Sequence, residues 1–285
     1  MELARSENTG VPPIARALRS SGRIRIAYIS GDYRNHAVAR LVVGLIEAHD
    51  RQKFEVIGIS IGPNDESPMR RRLEAAFDVF EDMATSSPRQ VTERVRALKV
   101  DIAIDLVGHT DKSKTSLYLS RVAPLQVNFL GYPGTMGGSA FDYMIVDPYI
   151  ATEDLRRSAA EKLVVLPDCY QANDDKRQIA DARPSRQDEG LPDNAFVFCC
   201  FNLVRKITPQ TFDVWMRILH QVDNSVLWLL GSKDKCIANL RAEAARRSRA
   251  SVGDALSTAS RPATSRLTTS AGVASPRLST KRAKS

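Results

Sequence analysis

Short apolar runs rich in isoleucine, valine and leucine recur along this chain, and most are followed by a segment with helical periodicity. RIRIAYIS (Arg23–Ser30) comes first, bounded by Gly22 and Gly31. FEVIGISI (Phe54–Ile61), DIAIDLVG (Asp101–Gly108), Leu125–Leu130, Tyr143–Val146 and EKLVVLP (Glu161–Pro167) repeat the pattern. Continuous apolar runs of this kind read as strands buried on both faces. Between them, Asn35–His49 carries Ala37, Val38, Leu41, Val42, Leu45 and Ile46 on one helical face, with Asn35 as the candidate cap. Pro68–Phe77, Arg89–Leu98 and the short Thr115–Leu119 read as further helices. Strand alternating with helix predicts an α/β fold: a parallel sheet covered on both faces, with right-handed crossovers.

The pattern lapses over 168–194, a polar stretch without sustained period that reads as an interdomain connection. A second α/β unit then starts, with strand Ala195–Asn202, helix Gln210–Gln221, strand Ser225–Gly231 and helix Lys235–Arg247. Two strands and two helices make this second domain incomplete. The expected organisation is a flexible leader over 1–22, a first domain over 23–167, the connection, a partial second domain over 195–247 and a tail over 248–285. The tail holds 14 Ser or Thr and no aromatic residue, so it cannot bury a core and is expected to be disordered.

The formal net charge of +8 is unevenly placed. Seven Arg or Lys against Asp254 put +6 within 248–285, and the preceding residues carry only +2. A nucleic-acid function would therefore rest on the tail alone, and nucleic acid is not an expected partner. No apolar run approaches the ~20 residues of a membrane span, and the N-terminus has no secretory pattern. The four cysteines are scattered, and Cys199 and Cys200 read as buried core thiols in a reducing compartment, so a cytoplasmic location is expected.

Several residues could carry chemistry. Gly131–Gly138, between two strands, is a glycine-rich turn where backbone amides can approach a ligand, or simply a tight connection. His36 lies at the first strand-to-helix turn, where ligands meet parallel sheets; it could donate to a phosphate, act as acid or base, or merely cap the helix. Lys206 repeats that placement one domain later and suits a diphosphate, or faces solvent like most lysines. Asp105, inside an apolar strand, needs a partner. His109 could line the same cleft, whereas Asp142 and Asp147 read first as turn and capping residues. There is no Asp-x-Asp pair, no His/Cys cluster, no G-x-G-x-x-G and no P-loop, so no metal is expected.

Taken together, RIRIAYISGDYRNHAVARL, FEVIGIS, DIAIDLVGHT, APLQVNFLGYPGTMG with FDYMIVD, EKLVVLP, FCCFNLVRKITP and NSVLWLLG resemble, in order, the protein O-GlcNAc transferases, including their bacterial and SPINDLY-like members. LGYPGT and FN-x-x-x-KI-x-P are the most specific of these, and the resemblance runs from about Arg23 to Arg247. It implies a GT-B fold of two Rossmann-like domains, the second incomplete here. It also implies UDP-N-acetylglucosamine as donor substrate, Ser or Thr hydroxyls of proteins as acceptors, and inverting transfer without metal or other cofactor. His36 falls on the family's active-site histidine, and Lys206 on the lysine that contacts the donor diphosphate. Gly131, Tyr132, Pro133, Gly134 and Thr135 fall on the loop beside sugar and acceptor, and Asn202 on the asparagine of the FN motif. Leu203 replaces a polar amide residue of the family, and His109 stands where tyrosine is frequent. The family's tetratricopeptide helices are absent, and the match stops near Arg247, before the stretch that grips the nucleotide. The chain is therefore expected to be truncated at both ends. The alternative to an active transferase is a non-catalytic remnant of one.

Overall fold

A computed structural model describes residues 22–110, 113–178, 181, 183–231, 233–249 and 264–269. The expected leader, apart from Gly22, lies outside the described residues. The chain divides into two units, Met1–Gln178 and Ile179–Ser285.

The first unit is a seven-stranded, all-parallel sheet. Its strands are β1 (Ile24–Ser30), β2 (Phe54–Ser60), β3 (Val79–Asp82), β4 (Ile102–Asp105), β5 (Leu125–Asn128), β6 (Tyr143–Val146) and β7 (Lys162–Val165), in the order β3-β2-β1-β4-β5-β6-β7. Its helices are α1 (Ala37–Glu47), α2 (Pro68–Ala76), α3 (Pro88–Ala97), α4 (Ser116–Leu119) and α5 (Glu153–Ser158). Alternate residues of the central strands face opposite layers. Ile26, Tyr28, Val56 and Ile104 pack with Val42, Val43 and Ile46 of α1 and Leu73 of α2. Ala27, Ile29, Ile57, Ile59 and Ala103 pack with Val91 and Val95 of α3 and Leu117 of α4. The sheet is thus covered on both faces, and each Ile, Leu or Val it fully buries contributes about 1.5–3 kcal/mol.

Local sequence sets the helix starts. Ser67 and Ser87 accept hydrogen bonds from the amides of Arg70 and Gln90, each followed by a proline at the first helical position. The cap of α1 is His36 rather than Asn35: His36 is extended and its Nδ1 accepts from the Val38 amide. The Asn35 carbonyl oxygen of the side chain is instead held by Arg40. Two elements have no counterpart in the periodicity, β3 and α5. β3 is a short edge strand, and α5 buries none of its residues.

Residues 168–178, expected as connection, pack on the first unit. Asp174 receives Arg72 at 2.6 and 2.9 Å, and the Tyr170 amide donates to Asp147 at 3.0 Å.

The second unit holds β8 (Phe196–Cys200), a 3-10 turn (Val204–Lys206), α6 (Pro209–Gln221), β9 (Ser225–Leu230), α7 (Asp234–Arg249) and β10 (Thr264–Thr269). β8 and β9 pair in parallel, and β10 adds antiparallel to β9. β10 lies within the segment expected to be disordered. Its TSRLTT sequence is threonine-rich and suits an edge strand; the remainder of that segment from residue 250 on lies outside the described residues. One face of β8–β9, with Phe198, Cys200, Leu227 and Leu229, packs on α6 and α7. The opposite face, with Val197, Val226 and Trp228, packs with buried Leu191 and Ala195. Cys199 belongs to that second face by register with Trp228, and it is exposed rather than a core thiol.

Candidate active site

The strand order reverses at β1: β2 lies on one side of it and β4 on the other. In open parallel sheets this switch point, at the carboxyl ends of the strands, is where a crevice forms. β1, β4 and β5 are neighbours, so the turns that follow them share one edge of the sheet. Those turns carry His36, Asp105 with His109, and Gly131–Thr135.

After β1, Asp32 is buried and fixes the turn. Its amide donates to Ser30 Oγ at 3.0 Å and its carboxylate receives Arg34 at 3.0 Å. The other carboxylate oxygen lies 3.5 Å from His36 Nδ1. The same Nδ1 accepts from the Val38 amide at 3.3 Å. With that cap bond formed, a neutral imidazole carries its proton on Nε2, which points the ring's donor away from the helix. The His36 side chain is 36% exposed, open enough to meet a ligand.

After β4, Asp105 closes the turn by accepting the amides of Val107 and Gly108, each at 3.0 Å. Burial pushes its carboxyl up to about 6, against the pull of those two amides and of the nearby Tyr118 and His109. The Tyr118 hydroxyl lies beside it without a well-formed hydrogen bond. Gly108, at φ +58°, abuts Tyr132: a Cβ there would lie 2.3 Å from the Tyr132 Cβ. The His109 ring meets Tyr132 edge-on at 5.4 Å, and its Nε2 lies 3.0 Å from the Met136 carbonyl oxygen.

After β5, the chain bends at Leu130, which has a left-handed φ of 67°. Gly131 is required by proximity: a Cβ there would fall 1.9 Å from the Leu106 carbonyl oxygen. Asn128, buried at the end of β5, donates to the carbonyls of Tyr132 (3.3 Å) and Gly134 (3.0 Å). Glu161, also buried, accepts Thr135 Oγ1 and the Met136 amide, both at 2.6 Å. Asn128, His109 and Glu161 therefore hold the loop from both ends, while Pro133 stays exposed. The polar Asn128 in an apolar run was a visible signal for such an anchor; Glu161 gave none.

Asp142 and Asp147 are structural. Asp142 pairs with buried Arg121 at 2.7 and 2.8 Å. The amides of Tyr170, Ile150 and Tyr149 hold the Asp147 carboxyl below the usual carboxylate range.

Asn202 and Lys206 belong to the second unit. Both are exposed, in the segment between β8 and α6. The Lys206 amide donates to the Leu203 carbonyl at 2.9 Å, closing the 3-10 turn, and no carboxylate among the described residues pairs with its ammonium group. Thr208 caps α6 two residues later, so the lysine stands just before the positive end of a 13-residue helix.

Comparison with known proteins gives the family. Residues 13–183 and 181–252 match glycosyl transferase family 41. The chain is 34% identical over 213 residues to the probable UDP-N-acetylglucosamine–peptide N-acetylglucosaminyltransferase SEC of Arabidopsis thaliana, covering 73% of this chain and 22% of that protein. It is 31% identical over 221 residues to the probable transferase SPINDLY of the same plant, covering 76% and 24%. The chain thus spans about a quarter of the length of these relatives. Among solved structures, a lysine-to-methionine variant of the Thermobaculum terrenum O-GlcNAc transferase superposes with a TM-score of 0.74 at 28% identity, over 86% of this chain and 47% of that one. The α/β architecture, parallel sheet included, is accordingly of the GT-B type. On these matches the chain belongs to glycosyl transferase family 41.

Proposed function

We propose that this chain is part of an enzyme that transfers N-acetylglucosamine from UDP-N-acetylglucosamine to Ser or Thr hydroxyls of proteins, with inversion and without a metal. The observation that carries this reading is the shared sheet edge of His36 and the pinned Gly131–Thr135 loop, in a chain of family 41.

In such a reaction the acceptor oxygen bonds to the sugar's anomeric carbon as the bond to UDP breaks. The acceptor proton leaves, and negative charge builds on the diphosphate. Lys206, beside the N-terminus of α6, is suited to that charge, and one well-placed donor of this sort contributes about 3–4 kcal/mol to the transition state. The rigid Gly131–Thr135 loop presents Tyr132, Pro133 and Gly134 without having to be ordered on binding, which lowers the entropic cost of holding sugar and acceptor. Asn202 contributes an uncharged polar contact next to Lys206.

Two tasks are open to His36, and its surroundings set the condition for each. With the α1 cap intact, Nε2–H donates and orients a substrate oxygen. To take the acceptor proton on Nε2, the ring must carry its own proton on Nδ1. The Asp32 carboxylate, 3.5 Å away, is placed to accept it there, at the expense of the Val38 cap bond.

Calorimetric titration of the chain with UDP-N-acetylglucosamine tests the donor half, with Lys206→Ala as control. Saturable heat that the control loses by about tenfold or more in affinity is expected. A folded chain that gives no saturable heat fits the non-catalytic reading instead. No helix among the described residues is long and apolar enough to cross a membrane.

A further inference from the structure

The first unit has a cavity of about 450 Å³ that neither His36 nor the glycine loop lines. It lies between the first turns of α1 and α2 and the segment Asp174–Gln178. Four cationic side chains, Arg40, Arg72, Lys176 and Arg177, share its wall with one carboxylate, Asp174, and Met69 adds apolar surface.

The charges divide into a committed set and a free set. Arg72 is forked onto Asp174 (2.6 and 2.9 Å) and onto Glu47 (2.8 and 3.1 Å), and Lys176 reaches Glu47 at 2.7 Å. Two cations meet two anions, and this network ties residues 174–176 to α1 and α2. It makes the back wall rigid and electrically neutral. Arg40 is different: its Nε and one terminal nitrogen both donate to the neutral Asn35 Oδ1, at 3.2 and 2.7 Å. Arg177 is exposed, and no carboxylate among the described residues pairs with either guanidinium. The nearby Asp65 is occupied by the amides of Asn35 and Ser67. Arg40 and Arg177 are therefore the two guanidinium groups of the cavity without a carboxylate partner among the described residues, while Asp65 nearby stays ionised, held by its amide bonds.

We infer that this cavity binds an acidic segment of the acceptor polypeptide, its Asp or Glu side chains forked by Arg40 and Arg177. Guanidinium groups are shaped for carboxylates, which they take through paired N–H donors. The volume suits two or three side chains. The wall has no aromatic ring on which a nucleobase could stack, so a nucleotide is the poorer fit. Asn35 lines the cavity and His36 follows it in the chain. An acidic segment seated here would flank the hydroxyl presented to His36. That the segment belongs to an acceptor rests on the transferase reading; the binding itself does not.

The test is fluorescence anisotropy of the full chain with a labelled hexa-aspartate peptide, at physiological ionic strength. Three proteins are compared: wild type, Arg40→Gln/Arg177→Gln, and Arg277→Gln/Arg282→Gln, which removes the same charge from the basic tail. The cavity variant is expected to weaken binding about tenfold, and the tail variant to leave it within about twofold. Equal weakening by both variants, or loss in the tail variant alone, overturns the inference. So does displacement of the peptide by inorganic phosphate beyond the effect of matched ionic strength, since the cavity would then be a phosphate site. UDP-N-acetylglucosamine titration of the same proteins separates the two readings: a chain that binds the peptide through Arg40 and Arg177 but no donor keeps this site and loses the transferase assignment. Both side chains are exposed, so circular dichroism of the variants is expected to match wild type.

Discussion

At the scale of single residues, the glycine loop separates two reasons for a glycine. Gly131 sits against the Leu106 carbonyl, where a Cβ would lie 1.9 Å away, and backbone cannot yield as a flexible side chain can. Gly137, at φ +68°, has open space around it. Gly131→Ala is therefore expected to cost about 3 kcal/mol by forcing β4 and β5 apart, and Gly137→Ala only about 1 kcal/mol, the left-handed penalty of an L-residue. Urea unfolding of the two variants measures the difference; equal costs would remove the close approach as the reason for Gly131. Asp105 makes a pH-dependent prediction. Its carboxyl is raised from 3.8 to about 6 by burial. Between those values the folded state binds more protons than the unfolded state, so this group's contribution falls as pH rises from about 4 to 6 and is constant above that range. The shift corresponds to about 3 kcal/mol. Relative to Asp105→Asn, which cannot ionise but gives up one of the two amide bonds, wild type should lose about that much stability across the window. Parallel stability–pH curves for the two proteins would contradict it.

At the scale of elements, α1 couples a structural and a chemical task in one side chain. His36 caps the helix through Nδ1. His36→Asn keeps a good cap and removes the ring, whereas His36→Ala removes both. The alanine variant is expected to lose about 1 kcal/mol of stability and the asparagine variant almost none, while on the proposed transferase reading both lose activity. An asparagine variant with full activity would leave His36 as a cap only. The elements themselves are largely legible in the amino-acid pattern. β1, β2 and β4 are buried on both faces, so their sequences are apolar runs, whereas β5 buries the amides Gln126 and Asn128 beside its apolar residues; α1, α2 and α3 show their buried stripes. What escapes has a physical reason in each case. Val79–Asp82 forms at the sheet edge and ends in two acids, so it lacks the apolar signature. Glu153–Ser158 buries nothing and leaves no stripe. The strand at Ile102 stops at Asp105 although Leu106 and Val107 are apolar and buried, because Asp105 caps the turn. Candidate site residues are visible where apolar runs break or end: Asp105 and Gly131 interrupt such runs, and His36 lies in the polar turn between the first strand and its helix. Glu161 is not, since its partners Thr135 and Met136 lie 26 and 25 residues away. That Arg40 and Arg177 have no carboxylate partner among the described residues is equally hidden, since only the fold shows which arginines are already paired.

At the scale of the whole molecule, charge and fold are separable. The formal charge is +8, of which +6 belongs to 248–285. Residues 1–247 carry only +2, and much of their arginine is committed: Arg70 to Glu74 and Asp82, Arg72 to Glu47 and Asp174, Arg121 to Asp142. A chain built this way should bind the dense phosphate backbone of a nucleic acid through its tail, without sequence preference and without engaging the sheet edge that carries His36, whereas short carboxylate segments go to the cavity lined by Arg40 and Arg177. Replacing Arg277, Lys281, Arg282 and Lys284 by Gln removes four charges from the tail and leaves β10 untouched. With duplex DNA as a generic polyanion, the slope of log affinity against log salt should then become shallower by up to about 3.6, the value if all four side chains contact phosphate. UDP-N-acetylglucosamine affinity of the same variant should be unchanged. An unchanged salt slope would place the polyanion-binding surface outside residues 277–284, and the cavity lined by Arg40 and Arg177 would be the first place to look for it.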